Sequence, residues 1–294
     1  MKRIVLLLLS CLSLLLVPTM SSAALKINPP IYVFVDGKEP NFVNQPYVKN
    51  GTTMVEFRPI FEMLGLTIDW NAKQGKITGK NSNKIIQLFL NQRNAYINNN
   101  KQILTNAPVL KNGKTMIPLR FVAEATGKKV FWDEKTQMII INDGKFAKAD
   151  FSFSLDDLNE QFLKDAENGF LGPFHASLTA NSLGQVVNTY GFPEYRHNGS
   201  YASEDIPGLK YGHYWIFFLG EKGNTYLLQP KITEIAVSLP NKTTNAHITN
   251  RIGSPHEIDE GLYTNLRYYT GPYTLTVLSA NSNLDGNAWW LKIN

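Results

Sequence analysis

Residues 46–78 and 108–140 carry one pattern at a fixed spacing of 62. It runs through Pro46/Pro108, Lys49/Lys111, Asn50/Asn112, Gly51/Gly113, Met54/Met116, Arg58/Arg120, Phe61/Ala123, Gly65/Gly127 and Trp70/Trp132, and only Phe61/Ala123 is not an identity. A period of this size marks a duplicated supersecondary unit in which neither copy buries its apolar face alone and each serves as the other's lid. The first half is therefore expected to be a scaffold.

Each copy reads locally as strand, helix, strand, strand. Asn50-Gly51 and Asn112-Gly113 are tight-turn signals, each followed by a short apolar strand, at 53–57 and 115–119. Helices are expected at 59–64 and 120–126, ended by Gly65 and Gly127, which tolerate the left-handed backbone of a helix C-terminus. Alternating strands follow at 66–70 and 129–132, then at 76–78 and 138–141. Between the copies, 85–90 and 95–104 read as a hairpin turning at Asn98-Asn99-Asn100.

The run from Val109 through Asn112-Gly113, Met116-Ile117-Pro118-Leu119-Arg120 and Ala123-Glu124-Ala125-Thr126-Gly127 to Trp132-Asp133 resembles the copper amine oxidase N-terminal-like domain, often called a stalk domain. A weaker form recurs at 47–70, and the resemblance covers roughly residues 30–143. It implies a compact α+β module, found mostly on secreted proteins of Gram-positive bacteria beside varied partner domains. Copper does not come with it, because the family's metal sits in a separate catalytic domain with histidine ligands. All five histidines of this chain (His175, His197, His213, His247 and His256) lie outside the matching region, and no cofactor is expected.

Within each copy, Arg58 and Arg120 sit where a strand hands over to a helix. Each could serve an anion, but an internal ion pair with Glu62 or Glu124, one helical turn on, is the simpler expectation. Trp70 and Trp132 are expected in the core.

At the N-terminus, Lys2 and Arg3 precede a 14-residue, mainly apolar run (4–17), broken only by Ser10 and Ser13, then Pro18 and Ser21-Ser22-Ala23-Ala24. This is the pattern of a secretory leader cleaved after Ala23 or Ala24, and the run is short of the roughly 18–20 residues that span a bilayer. Cys11, the only cysteine, lies in Leu8-Leu9-Ser10-Cys11, a faint lipoprotein box, but the apolar run continues past it. The mature chain is expected to be secreted, soluble and without a thiol. Its charge is divided, residues 25–148 carrying a net +9 and 149–294 a net −6. A basic module outside a cell suits an anionic wall polymer or a membrane surface, but a solvated, lysine-rich surface is the simpler account. Domains are expected at 25–146 and 150–294, the boundary falling where the second copy ends.

The second domain opens at Ser154, with Asp157 three residues on and Leu155, Leu158, Phe162 and Ala166 at helical spacing up to Gly169. Asp156, Asp157, Glu160 and Asp165 form its wet side rather than a calcium loop. A second, fainter duplication follows, in which a helix (183–190, then 246–252) runs into Gly-x-Pro and then into tyrosine-rich strands. Gly191-Phe192-Pro193 and Gly253-Ser254-Pro255 close the helices. The pattern is similar to tandem-repeat domains that resemble the β-lactamase inhibitor protein, which implies two helix-then-strand units packed into one curved sheet. The fold class expected throughout is α+β, two domains, each an internal duplication.

Runs such as Tyr214-Trp215 and Trp289-Trp290 place neighbouring side chains on opposite sheet faces, so one of each pair must leave the face that packs on the helices. Tyr211, Tyr214, Trp215, Tyr268, Tyr269, Trp289 and Trp290 are the candidate partner-binding residues. No Gly-x-Ser-x-Gly elbow, phosphate loop or His-Glu-x-x-His motif is present. Nucleic acid fits poorly, because aromatics and basic residues lie in different halves. The expectation is a non-catalytic envelope-associated protein that presents an aromatic-rich sheet to an envelope protein or a cell-wall glycan. The alternatives are an inhibitor of a secreted hydrolase, a wall-carbohydrate binder, or a hydrolase whose site has no familiar motif.

Overall fold

The computed structural model describes residues 30–174, 182–197, 208–218, 232–260, 263–279 and 288–293. The leader expected at 1–24 lies outside them. The architecture is α+β, with mainly antiparallel strands.

The elements of the first half recur at the sequence spacing of 62. The hairpin β2 (Tyr47–Lys49) and β3 (Thr52–Glu56), helix α1 (Phe57–Met63), and strands β4 (Thr67–Asn71) and β5 (Lys76–Lys80) make one set. The hairpin β9 (Val109–Lys111) and β10 (Lys114–Pro118), helix α2 (Leu119–Ala125), and strands β11 (Lys129–Asp133) and β12 (Met138–Asn142) make the other. Asn50 and Gly51 sit at φ 46° and 70°, and Asn112 and Gly113 at 46° and 73°. Two successive left-handed residues are what a two-residue hairpin turn demands, and Asn-Gly supplies them at least steric cost.

The two hairpins join as one four-stranded sheet, β2-β3-β10-β9, through the antiparallel pair β3·β10. A reciprocal set of asparagines locks it. Asn44 Nδ2 donates to the Lys111 carbonyl (3.3 Å) and Asn106 Nδ2 to the Lys49 carbonyl (2.8 Å). Asn112 Nδ2 donates to Asn44 Oδ1 (3.0 Å) and Asn50 Nδ2 to Asn106 Oδ1 (3.2 Å). Asn44 and Asn106 are both buried, so each side of the turn is held by the loop that precedes the other set.

Between the sets, β6 (Ile85–Phe89), β7 (Asn94–Ile97) and β8 (Asn100–Ile103) extend β4 and β5 into a five-stranded meander. The turn expected at Asn98-Asn99-Asn100 lies between β7 and β8, and β6 pairs with β7 ahead of it. Asn98 and Asn99 take φ 48° and 66°, and left-handed backbone at both positions turns the chain back on itself.

A third sheet, β1-β12-β11, is built on β1 (Tyr32–Val35), which pairs in parallel with β12. Successive side chains of a strand point to opposite faces, and here both faces are buried. Val33, Val35, Ile139 and Ile141 face one core with Ile60, Phe61, Val122 and Leu88. Phe34, Met138 and Ile140 face the other with Leu183, Val186, Val187, Ile216 and Val277. One thin sheet is therefore a wall common to two hydrophobic cores.

The second core lies under an eight-stranded sheet. Its strands are β13 (Tyr195–His197), β14 (Gly208–Tyr211), β15 (Tyr214–Phe218) and β16 (Ile232–Ser238), then β17 (Glu257–Glu260), β18 (Thr264–Thr270), β19 (Tyr273–Ser279) and β20 (Ala288–Ile293). Their order is β13-β14-β15-β16-β20-β19-β18-β17, two four-stranded meanders joined along β16·β20. The described helices of this half are α3 (Glu160–Glu167), α4 (Leu183–Tyr190) and α5 (Asn245–Ile252). Gly191 (φ 83°) ends α4 and Gly253 (φ 86°) ends α5.

The helix expected from Ser154 is two pieces. Ser154 and Asp157 form a reciprocal capping box over a single 3-10 turn, Leu155–Asp157. Asn159 then starts α3 by accepting from Phe162 N (3.1 Å). A second N-cap in the middle of an amphipathic run restarts the helix where the first box has closed.

Helix α4 stands on the shared sheet. A methyl on Gly184 would lie 2.3 Å from the Gly37 carbonyl oxygen. Asn142 Nδ2 donates to Asn188 Oδ1 (3.1 Å), and Ala147 N to the Thr189 carbonyl (2.7 Å). Phe146 meets Phe131 edge to face at 5.1 Å. The stretch after β12 is strapped along α4.

Two outcomes follow from the common wall. Residues 25–294 are expected to unfold in urea as one cooperative transition, whereas residues 150–294 alone, lacking Phe34, Met138 and Ile140, will show no cooperative transition by circular dichroism. Gly184→Ala forces α4 off the Gly37 carbonyl and should cost about 1–3 kcal/mol in the same titration; an unchanged midpoint would remove α4 as the strut.

Candidate functional site

The alternation expected for the aromatic strands divides the candidate residues between the two sides of the eight-stranded sheet. Tyr211, Tyr214 and Tyr268 are 2–3 % exposed and belong to the core. Tyr211 Oη donates to the Gly191 carbonyl at 2.8 Å, and its ring packs against Phe151 and Phe174. Tyr214 packs edge to face on Phe153 and Phe174. These three cannot contribute to a docking surface, because the helices and the 151–174 segment cover the face they occupy. Trp215 and Tyr269 point to the other face, Trp215 half-buried and Tyr269 51 % exposed. The backbone of Trp289 and Trp290 belongs to β20, and their side chains lie outside what is described.

The backbone register that passes through Trp215 runs Tyr195, Lys210, Trp215, Ala236, Lys292, Thr276, Arg267, Glu257. Its two ends differ in chemistry. At the first, Trp215 stacks on Phe217 (centroids 5.8 Å, 7° between planes) and meets Tyr195 edge to face at 5.9 Å. Tyr195 is 47 % exposed at the sheet edge. At the other end, Arg267 donates to Glu257 (3.0 Å) and Asp259 (2.7 Å), and Tyr269 Oη donates to Glu257, whose bond holds the Tyr269 phenol above its usual range. One half is an aromatic ladder and the other an ion-paired network. Tyr195 and Phe217 are not among the candidates read from the sequence; the i, i+2 spacing of Trp215 and Phe217 was the available signal for Phe217.

In the first half the two arginines part company. Arg120 donates to Glu124 (3.2 Å) and to the Val130 carbonyl (3.0 Å), as an internal ion pair requires. No such pair joins Arg58 to Glu62; the Arg58 guanidinium lies 5.4 Å from the centroid of the Phe57 ring. Trp132 packs partly buried against the core, but Trp70, expected there too, is 38 % exposed and rests on Phe57 with centroids 6.4 Å apart.

The described histidines act locally. His247 Nδ1 accepts from Thr244 N (3.1 Å) in the cap of α5, and His256 Nδ1 accepts from Tyr269 N (3.2 Å). His175 lies outside the described residues. Among those residues no group of three or more His, Cys, Asp or Glu is placed to hold a metal ion, and no helix is long and apolar enough to cross a membrane.

Burial raises the phenols of Tyr211 and Tyr214 well above their usual range and pushes Tyr268 up to about 12. The folded state thus holds these protons more tightly than the unfolded chain, whose phenols titrate near 10. Their contribution to stability is complete below pH of about 10 and is lost as the pH rises through the folded values. Absorbance at the phenolate band should show these three still neutral after the exposed tyrosines have ionised, until the protein unfolds. Tyr268 Oη is buried without a hydrogen-bond partner, so Tyr268→Phe should stabilise the fold by about 1 kcal/mol, while Tyr211→Phe should cost about 1 kcal/mol. Equal effects in thermal unfolding would contradict these placements.

Comparison with known proteins sets these surfaces in a family context. No curated protein matches the chain. A solved structure, that of a DUF4309 family protein (YjgB) from Bacillus subtilis subsp. subtilis str. 168, is 14 % identical with a TM-score of 0.37, covering 48 % of this chain and 97 % of its own. Residues 34–141 match the family described as the copper amine oxidase N-terminal domain, an accessory unit without catalytic function of its own. The matched span, a little over a third of the chain, opens in β1 and closes in β12, the two paired strands of the wall shared with the second core.

Proposed function

We propose that this chain is a secreted, non-catalytic binding protein of the bacterial envelope. Residues 25–146 act as the stalk domain, and 150–294 as a tandem-repeat domain that docks a partner protein on the outer face of its sheet. Helix α4 with β13–β16 and helix α5 with β17–β20 have the same order of elements, which supports reading each half of the chain as an internal duplication. The leader at 1–24 supports export, and the net +9 of residues 25–148 supports association of the stalk with an anionic wall polymer.

The observation that carries the docking surface is the aromatic ladder Tyr195, Trp215 and Phe217 on the face turned away from the helices. Tyr and Trp give the largest binding energy per residue at protein interfaces. Sugar stacking needs an open ring face, yet Trp215 has one face against Phe217 and is met edge to face by Tyr195. That geometry favours a protein partner over a glycan.

The full mature chain, immobilised, is expected to retain specific proteins from an envelope fraction. Once a retained protein is purified, Trp215→Ala with Tyr195→Ala should weaken its binding at least about tenfold. Arg267→Ala, at the ion-paired end, should change it little. Identical retention by wild type and the double variant, or sedimentation with insoluble peptidoglycan alone, would overturn the reading. A screen of esterase, glycosidase and phosphatase substrates tests the competing hydrolase assignment, and inhibition of secreted hydrolases the inhibitor assignment.

A further inference from the structure

Beside α1, a groove of about 740 Å³ runs between the 38–43 loop, the start of α1, Trp70 of β4 and the β9–β10 hairpin. This lies within the range of roughly 300–1,000 Å³ typical of small-ligand sites, too small for a folded domain and suited to a chain end. Its wall joins two chemistries. Trp70, Val43 and Leu110 are 38, 74 and 62 % exposed, with Phe57 and Met63 beside them, whereas Lys38, Arg58 and Lys114 supply cations.

The wall holds as many carboxylates as cations, but none of them forms an ion pair with Lys38, Arg58 or Lys114. Glu56 is buried and committed: its carboxylate accepts from Asn44 N (2.6 Å), Asn44 Nδ2 (2.9 Å) and Val43 N (3.3 Å). Glu39 is likewise engaged, leaving Glu62 as the one carboxylate of the wall without a bond. The corresponding position in the other set shows what a structural arginine does here, since Arg120 is bonded to Glu124 and Val130. Arg58 has the same neighbour one turn on and makes no bond to it, lying instead along Phe57 at the groove.

We propose that this groove binds the C-terminus of a peptide whose last residue is large and apolar. Arg58, with Lys38 and Lys114 beside it, takes the terminal carboxylate, and Trp70, Leu110 and Val43 take the side chain. A guanidinium matches a carboxylate in geometry as well as charge. Val43, Leu110 and Met63 beside Trp70 make a mixed aliphatic and aromatic wall, which suits an apolar side chain better than the hydroxyls of a sugar. The site is separate from the outer face of the eight-stranded sheet, so either can fail without the other.

The test uses residues 25–294 and synthetic hexapeptides ending in Phe, Leu or Met, each as the free acid and as the C-terminal amide, with calorimetry as the readout. The free acids should bind and the amides bind about 10- to 100-fold more weakly. Arg58→Gln should weaken free-acid binding by a similar factor with little change in the melting temperature, since among the described residues the contact of Arg58 with the Phe57 ring is its one interaction. Arg120→Gln should leave it unchanged, and Trp70→Ala should abolish it. Equal binding of acid and amide, equal effects of the two arginine variants, binding of uronic-acid oligosaccharides in place of peptides, or no binding by any peptide of the set would each overturn the proposal.

Discussion

The parallel pair β1·β12 is the constraint on which the rest of the molecule depends. Every side chain from Val33 to Val35 and from Met138 to Ile141 is buried, alternately into one core and the other. A strand buried on both faces has no solvent side to tolerate slippage: a shift of one residue would exchange Phe34 for Val33 or Val35 and misfit both cores at once. Register here is therefore fixed twice over. It also makes the two halves one mechanical unit, because α4 is seated on this wall through Gly184 and Asn188.

Within the first half, the reciprocal asparagines do for the hairpins what β1·β12 does for the cores. Each of Asn44 and Asn106 bonds the strand end of the opposite set, so the arrangement has an approximate two-fold relation that neither set could create alone. Departures from that relation are where chemistry becomes available. Position 56 is Glu and position 118 is Pro, so only the first set has a buried carboxylate drawing Val43 and Asn44 inward. The loop it anchors forms one wall of the groove at Arg58.

Much of the local structure was legible because it depends on near neighbours. Asn50-Gly51 and Asn112-Gly113 specify their turns whatever surrounds them, and Gly65, Gly127, Gly191 and Gly253 each mark a helix end by a left-handed backbone. What could not be read depends on partners remote in sequence. Alternation in Tyr214-Trp215 says that one ring faces inward, but which one is set by the cross-strand register with β16 and by Phe153 and Phe174. Trp70 and Trp132 occupy corresponding positions and differ in exposure, because surroundings outside the repeated pattern differ. The turn at Asn98-Asn99 was legible in its asparagines, but the pairing of β8 on β7 was not, because β8 (Asn100–Ile103) is exposed along its length and carries no alternating apolar face.

The same logic separates the two ends of the eight-stranded sheet. Tyr195 and Glu257 are 62 residues apart, as are His197 and Asp259, and each pair occupies corresponding places in the edge strands β13 and β17. In the second meander the edge supplies Glu257 and Asp259, which saturate Arg267 and leave a hydrated, self-satisfied surface. In the first, the edge supplies an aromatic ring, and Trp215 and Phe217 replace the ionic network with apolar area that water covers only at a cost. The two meanders thus carry different outer chemistry over one continuous core. Arg58 against Arg120 in the first half and Tyr195 against Glu257 in the second show the same contrast: one place carries an ion pair and the other an aromatic contact.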